Sequence, residues 1–161
     1  MDPGIRFAEL LAYNADENSH WKRWLAEHPG VLDLACDVAK AGTVRELLYH
    51  IFATELFFAN FILGLGRTNF ENIPHSTLDE LFALSEEAQR QFEESLAKSS
   101  EKDWAEIKPL GFGTVKATPR KMLMQALWHS INHRGQLATF LRQQGFKQDW
   151  THDIILSQVM E

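Results

Sequence analysis

Four long segments of the chain repeat apolar residues at alternating spacings of three and four, and in each the apolar stripe is broken near its middle by polar side chains. Such spacing puts the apolar residues on one face of a helix, and four such faces meet around a common seam. The fold expected is all-α, a four-helix bundle. The first helix runs from about Ile5 to Glu27 with the stripe Phe7, Leu11, Asn14, Asn18, Trp21 and Leu25, and Pro29 and Gly30 stop it. The second opens at Thr43, whose hydroxyl forms a capping box with Glu46; it carries Leu47, His50, Thr54, Phe57 and Phe61 and ends near Gly64 and Gly66. A second capping box, Thr77 with Glu80, starts the third helix, whose stripe is Leu78, Leu81, Ser85, Ala88, Phe92 and Leu96 and which fades over 98–103. Thr118 caps the fourth with Pro119 in its first turn; the stripe is Met122, Ala126, His129, His133, Gln136 and Phe140, and Gly145 closes it.

Between the third and fourth helices, β-branched and aromatic residues flank Gly111 and Gly113, with Pro109 limiting regular pairing, so a small hairpin is allowed there. A short C-terminal helix is expected over roughly Asp153 to Val159. No repeat, low-complexity tract or linker divides the 161 residues, and 1–161 reads as a single domain.

A purely hydrophobic bundle has no use for polar residues on its inward stripes. Burying them without partners costs about 1–3 kcal/mol each, so they must bond one another, hold water or coordinate an ion. Asn14, Asn18, Thr54, Ser85 and Gln136 occupy such positions, together with three imidazoles. His129 and His133, at i and i+4, project from one side of a helix about a turn apart and can share one ion. His50 is the third candidate, because His20, His28, His75 and His152 lie off the seam, at a helix end, in a loop or in the tail. Against this stands the plain alternative that an i, i+4 histidine pair arises by chance in a chain with seven histidines and that each ring is hydrogen-bonded core.

Composition narrows the function classes. A net charge of −6 with no basic stripe speaks against a nucleic-acid binder. The longest apolar run, from Ile51 to Gly66, carries Glu55 and is expected to be a buried helix rather than a membrane span. A single cysteine, Cys36, cannot form an internal disulfide, and no secretory leader pattern opens the chain, so the cytoplasm is the expected compartment.

The string "HSINHRGQLATFLRQQG" is similar to the most characteristic segment of the DinB/YfiT-like family, in which His-x-x-x-His-Arg-Gly-Gln on the last bundle helix supplies two of three metal-binding histidines. "LLYHIFATELFFANFILG" resembles the family's second helix and carries the first histidine over to His50. "YNADENSHWKRWL" resembles its opening helix, with Asp16 where an aromatic residue is usual. The resemblance, from about residue 5 to residue 155, implies up-down-down-up topology, a three-histidine divalent metal site and a homodimer. It also implies that thiol S-transfer with a low-molecular-weight thiol such as bacillithiol or mycothiol is one chemistry among several, since other branches resemble isomerases or hydrolases.

Three neutral imidazoles leave a divalent ion an open position, the arrangement of catalytic zinc sites. Such an ion activates water or a thiol near neutral pH, and zinc or nickel suits the donor set best. Histidine ligands donate their second ring N–H to a neighbour, for which Gln136 and Asn18 are the first choices, then Asn14 and Thr54. Arg134, about 100° off the seam, is expected at the rim, where it would meet an anionic substrate or simply solvent. Glu46 is accounted for by capping, and Glu55, about 140° round the helix from His50, is discounted as a ligand. Phe57, Phe58, Phe61, Trp104 and Trp128 are expected mainly in the core. The reading is a metal-dependent hydrolase or thiol S-transferase acting on a small molecule or thiol. Its rivals are a non-catalytic metal-stabilised ligand-binding or stress-response module and a metal-free dimerisation bundle.

Overall fold

The structure is a computed structural model that describes residues 4, 6–111 and 114–159. Four long helices, α1 (Phe7–Glu27), α2 (Val44–Leu63), α3 (Leu78–Lys98) and α5 (Pro119–Gln143), pack around one core; a short helix, α4 (Glu101–Ala105), leads toward α5. Their boundaries follow local chemistry. Thr43 and Thr77 each accept the N–H of the glutamate three residues on, and Glu46 and Glu80 return to the backbone N–H of their caps. Gly64, at φ +78, ends α2 in the left-handed conformation that a side chain disfavours.

Side-chain pairs fix the directions. Lys22 bonds Glu86 while Asn18 bonds Ser85 and Lys22 also reaches Asp79, so α1 and α3 are broadly opposed. Phe52 packs on Phe82 and Glu55 meets Ser85, so α2 and α3 run together. Phe7 stacks on Trp104 at one end, Arg134 bonds Asn18 in the middle, and Trp24 meets Phe146 at the other, so α5 runs with α1. The bundle is up-down-down-up.

Helix α2 is long and apolar enough to cross a membrane by length and composition, with mean hydropathy 1.3, but 56% of its apolar window is buried inside the bundle. Glu55 lies within it, 1% exposed and hydrogen-bonded to three neighbouring helices. It is the central core helix.

Of the local expectations, the hairpin holds and two others change. The hairpin forms as two residue pairs, Lys108 with Ala117 and Pro109 with Lys116, in strands β1 (Lys108–Pro109) and β2 (Lys116–Ala117); Gly113, like Ile5, lies outside the described residues. Helix α4 stands where the third helix was expected to fade, started by Ser100 and Asp103 in a further capping box. The C-terminal helix is only a single 3-10 turn, Ile154–Leu156, because Ile155 and Leu156 stay exposed and offer no face to bury. Instead the tail is strapped to α1: buried Glu17 accepts from Trp150 Nε1 (3.2 Å) and from His152 Nδ1 (2.8 Å), and the Tyr13 hydroxyl donates to the His152 carbonyl.

Candidate metal centre

Helices α2 and α5 are neighbours, and their facing flanks bring His50, His129 and His133 together. One ring nitrogen from each lies within 4.8 Å of the other two. His50 Nε2 and His129 Nε2 are 3.0 Å apart, and the His133 ring centroid stands 4.4 Å from that of His129 and 5.1 Å from that of His50. Ligand nitrogens on a tetrahedral zinc ion at about 2.0–2.1 Å are separated by about 3.3 Å, so the closest pair already has near-ligand spacing. Two neutral imidazoles facing through Nε2 hold one proton between two acceptors, whereas a cation would take both lone pairs. The donor set therefore fits a divalent ion. His133 Nδ1 donates to Gln136 Oε1 at 2.7 Å, which fixes the tautomer and leaves Nε2 as the available donor.

Electrostatics favour the neutral form of two of these rings. Burial, then the neighbouring charges of His133 and His50, pushes His129 down to about 4, and burial with His133 lowers His50. Neutral imidazole is the form that ligates metal. His50 is exposed while His129 and His133 are half-buried, so the group opens to solvent on one side.

The histidines are not the inward polar layer that the stripes implied. On α5 the buried seam is Met122, Ala126, Leu127, Ser130, Arg134, Leu137 and Leu141, about a quarter-turn from the His129–His133 edge. On α2 it is Leu48, Ile51, Phe52, Glu55 and Ala59, again rotated from His50. The buried polar chemistry sits on these seams. Glu55 Oε1 accepts from Ser130 Oγ (2.6 Å) and Asn14 Nδ2 (3.1 Å), and Glu55 Oε2 accepts from Ser85 Oγ (2.7 Å). Ser85 Oγ accepts from Asn18 Nδ2, and Asn18 Oδ1 accepts from Arg134 Nη1 at 2.6 Å.

Four placements are thereby corrected. Arg134 is not at the rim: it is 4% exposed, inside the bundle, because the seam runs through it. Asn14 and Asn18 bond Glu55, Ser85 and Arg134 rather than a histidine ring. Thr54 returns its hydroxyl to the His50 backbone carbonyl at 2.7 Å and leaves the ring alone. Gln136 alone of the expected helpers contacts a histidine ring of the cluster. Glu55 and Ser130 were missed as buried partners. The signal was present, since a lone carboxylate amid an apolar helix must find donors.

A cavity of about 970 Å³ begins one turn beyond His50, at Thr54, and continues past Phe57 and Phe61 to Phe70 and the β1 segment. The histidines themselves do not line it; the Thr54–His50 hydrogen bond is the link between them.

Comparison with known proteins accords with this geometry. The DinB family profile matches residues 3–157. The chain belongs to the DinB family. Among solved structures, the crystal structure of a DinB-like protein, YjoA, from Bacillus subtilis superposes with a TM-score of 0.62 over 91% of this chain and 96% of that one, at 20% identity. At that identity the likeness speaks to the fold. No curated protein matches the chain. The DinB fold and a three-histidine group compatible with metal binding thus stand together in this protein.

Proposed function

We propose that this DinB-family protein is a metal-dependent enzyme in which His50, His129 and His133 hold one divalent ion, zinc or nickel, beside an open position that activates water or a low-molecular-weight thiol. The observation that carries this reading is the convergence of three imidazoles, one nitrogen each within 4.8 Å, at an edge open to solvent. When bound, the ion supplies the Lewis acidity that brings a proton off water or a thiol near neutral pH. The chain's own residues then orient and enclose. Gln136 holds the His133 ring by its Nδ1–H, and Phe57 and Phe61, about two and three turns along α2 from His50, give a small substrate an apolar wall. A structural zinc ion commonly takes four protein ligands, and the cluster among the described residues offers three.

Cytoplasmic location and a homodimer belong to the same proposal. The lone buried Cys36 suits a reducing compartment. Met124, Trp128 and Ile131 form an exposed apolar stripe on the outer face of α5, with Trp128 67% exposed, which suits a self-complementary contact.

Purified protein loaded with zinc or nickel, assayed with thiol acceptors and with ester and amide substrates, tests the reading. Turnover that requires metal and disappears in His129→Ala supports it. Full metal loading with no turnover of either type contradicts catalysis and leaves a binding module.

A further inference from the structure

The cavity beside α2 has a composition that specifies a ligand. Its wall is aromatic: the Phe57 ring lies 6.3 Å from Phe61 and 6.1 Å from Phe70, centroid to centroid. Ile107, which also lines it, is 67% exposed, and Phe70 is exposed as well, so the cavity presents apolar surface at these two residues. Its volume of about 970 Å³ is at the upper end of small-molecule sites.

Its charges are unequal. Lys108 lies 3.8 Å from Glu106 and is balanced by it. The third charged lining residue, Arg67, has no ion pair or hydrogen bond to any described residue. A guanidinium presents a planar fork that matches a carboxylate in two parallel hydrogen bonds. An apolar trough with one guanidinium unpaired among the described residues selects an amphipathic anion over a neutral apolar molecule and over a polar ion without a body.

We propose that this cavity binds a carboxylate carried on an aromatic or long aliphatic body, the body against Phe57, Phe61, Phe70 and Ile107 and the carboxylate on Arg67. This names the substrate class of the site proposed above and rests on that reading for its catalytic meaning. Binding itself needs no metal.

The test uses the full chain and a fluorescent probe pair, dansylamino-undecanoate and its uncharged methyl ester, titrated with and without added zinc. We expect saturable binding of the acid in both conditions, with roughly tenfold or greater preference over the ester, since a charge-assisted pair contributes that much. Arg67→Ala should erase the preference and Arg67→Lys should keep part of it. Ile107→Glu, at an exposed position that leaves folding intact, should weaken the acid far more than the ester. Equal binding of acid and ester, no saturable binding, or indifference to both Arg67→Ala and Ile107→Glu overturns the proposal. His129→Ala separates the two readings: probe binding retained without metal supports the cavity whatever becomes of the metal centre, and probe binding absent from fully metal-loaded wild type rejects the cavity alone.

Discussion

Glu55 and Arg134, buried on the two helices that carry the histidines, do not bond one another; Ser85 and Asn18 stand between them and complete a hydrogen-bond chain from carboxylate to guanidinium. The chain crosses all four long helices. Ser130 and Arg134 each follow a histidine by one residue, so this buried layer also fixes the register of α5 against α2 from which His50, His129 and His133 meet.

Removing one member should be costly. Glu55→Ala strands three donors and removes the carboxylate that most offsets the Arg134 charge, and Arg134→Ala leaves a buried carboxylate, so each should lose about 3–5 kcal/mol in denaturant unfolding. The double variant should lose clearly less than the sum, because the second change removes a charge already uncompensated. Additive losses would contradict the coupling.

Gln136 is exposed and belongs to no core contact, so Gln136→Ala should leave stability unchanged within about 0.5 kcal/mol. Metal affinity should nevertheless fall about 10–100-fold in chelator competition, because the His133 ring loses the acceptor that fixes its tautomer. Unchanged affinity would remove Gln136 from the site.

These placements show what the chain disclosed in advance. On α1 and α3 the stripes were read in phase, Asn14, Asn18 and Ser85 being buried as expected, because polar residues densely mark the outer faces of those helices. Caps at Thr43, Thr77 and Thr118 were legible because the bonds are local. On α2 the phase slipped, since apolar residues face both the core and the 970 Å³ cavity and a wide apolar surface has no unique centre. On α5 the two histidines pull the apparent stripe toward themselves, and Arg134 reads as outward because arginine is usually solvated. The cluster is legible all the same, because i, i+4 spacing is independent of which way the helix faces. The Glu17 strap on the tail pairs residues 135 apart in sequence, beyond the reach of any local pattern.

Stability of the metal-free protein should depend on pH through His129. In the unfolded chain the ring takes a proton near 6.5, whereas in the folded protein it resists until about 4. Between those values the unfolded state binds more protons, so this contribution to stability is intact above 6.5 and is lost as pH falls toward 4. Metal affinity should fall in the same direction. Melting wild type and His129→Gln at about pH 7.5 and about pH 5 checks it: the wild type should lose more. Equal losses would assign the acid sensitivity elsewhere.

The apolar stripe of Met124, Trp128 and Ile131 should support a dimer. Light scattering on a sizing column should give twice the chain mass for wild type and a single chain mass for Trp128→Glu. A monomeric wild type would contradict the homodimer.

X-ray absorption on the zinc- or nickel-loaded protein addresses the metal centre most directly. We expect one ion per chain with three imidazole nitrogens at about 2.0–2.1 Å and at least one exchangeable oxygen, and loss of that signature in His129→Ala. A loaded site with fewer than three imidazoles, or one closed by a fourth protein ligand, would contradict an open three-histidine centre.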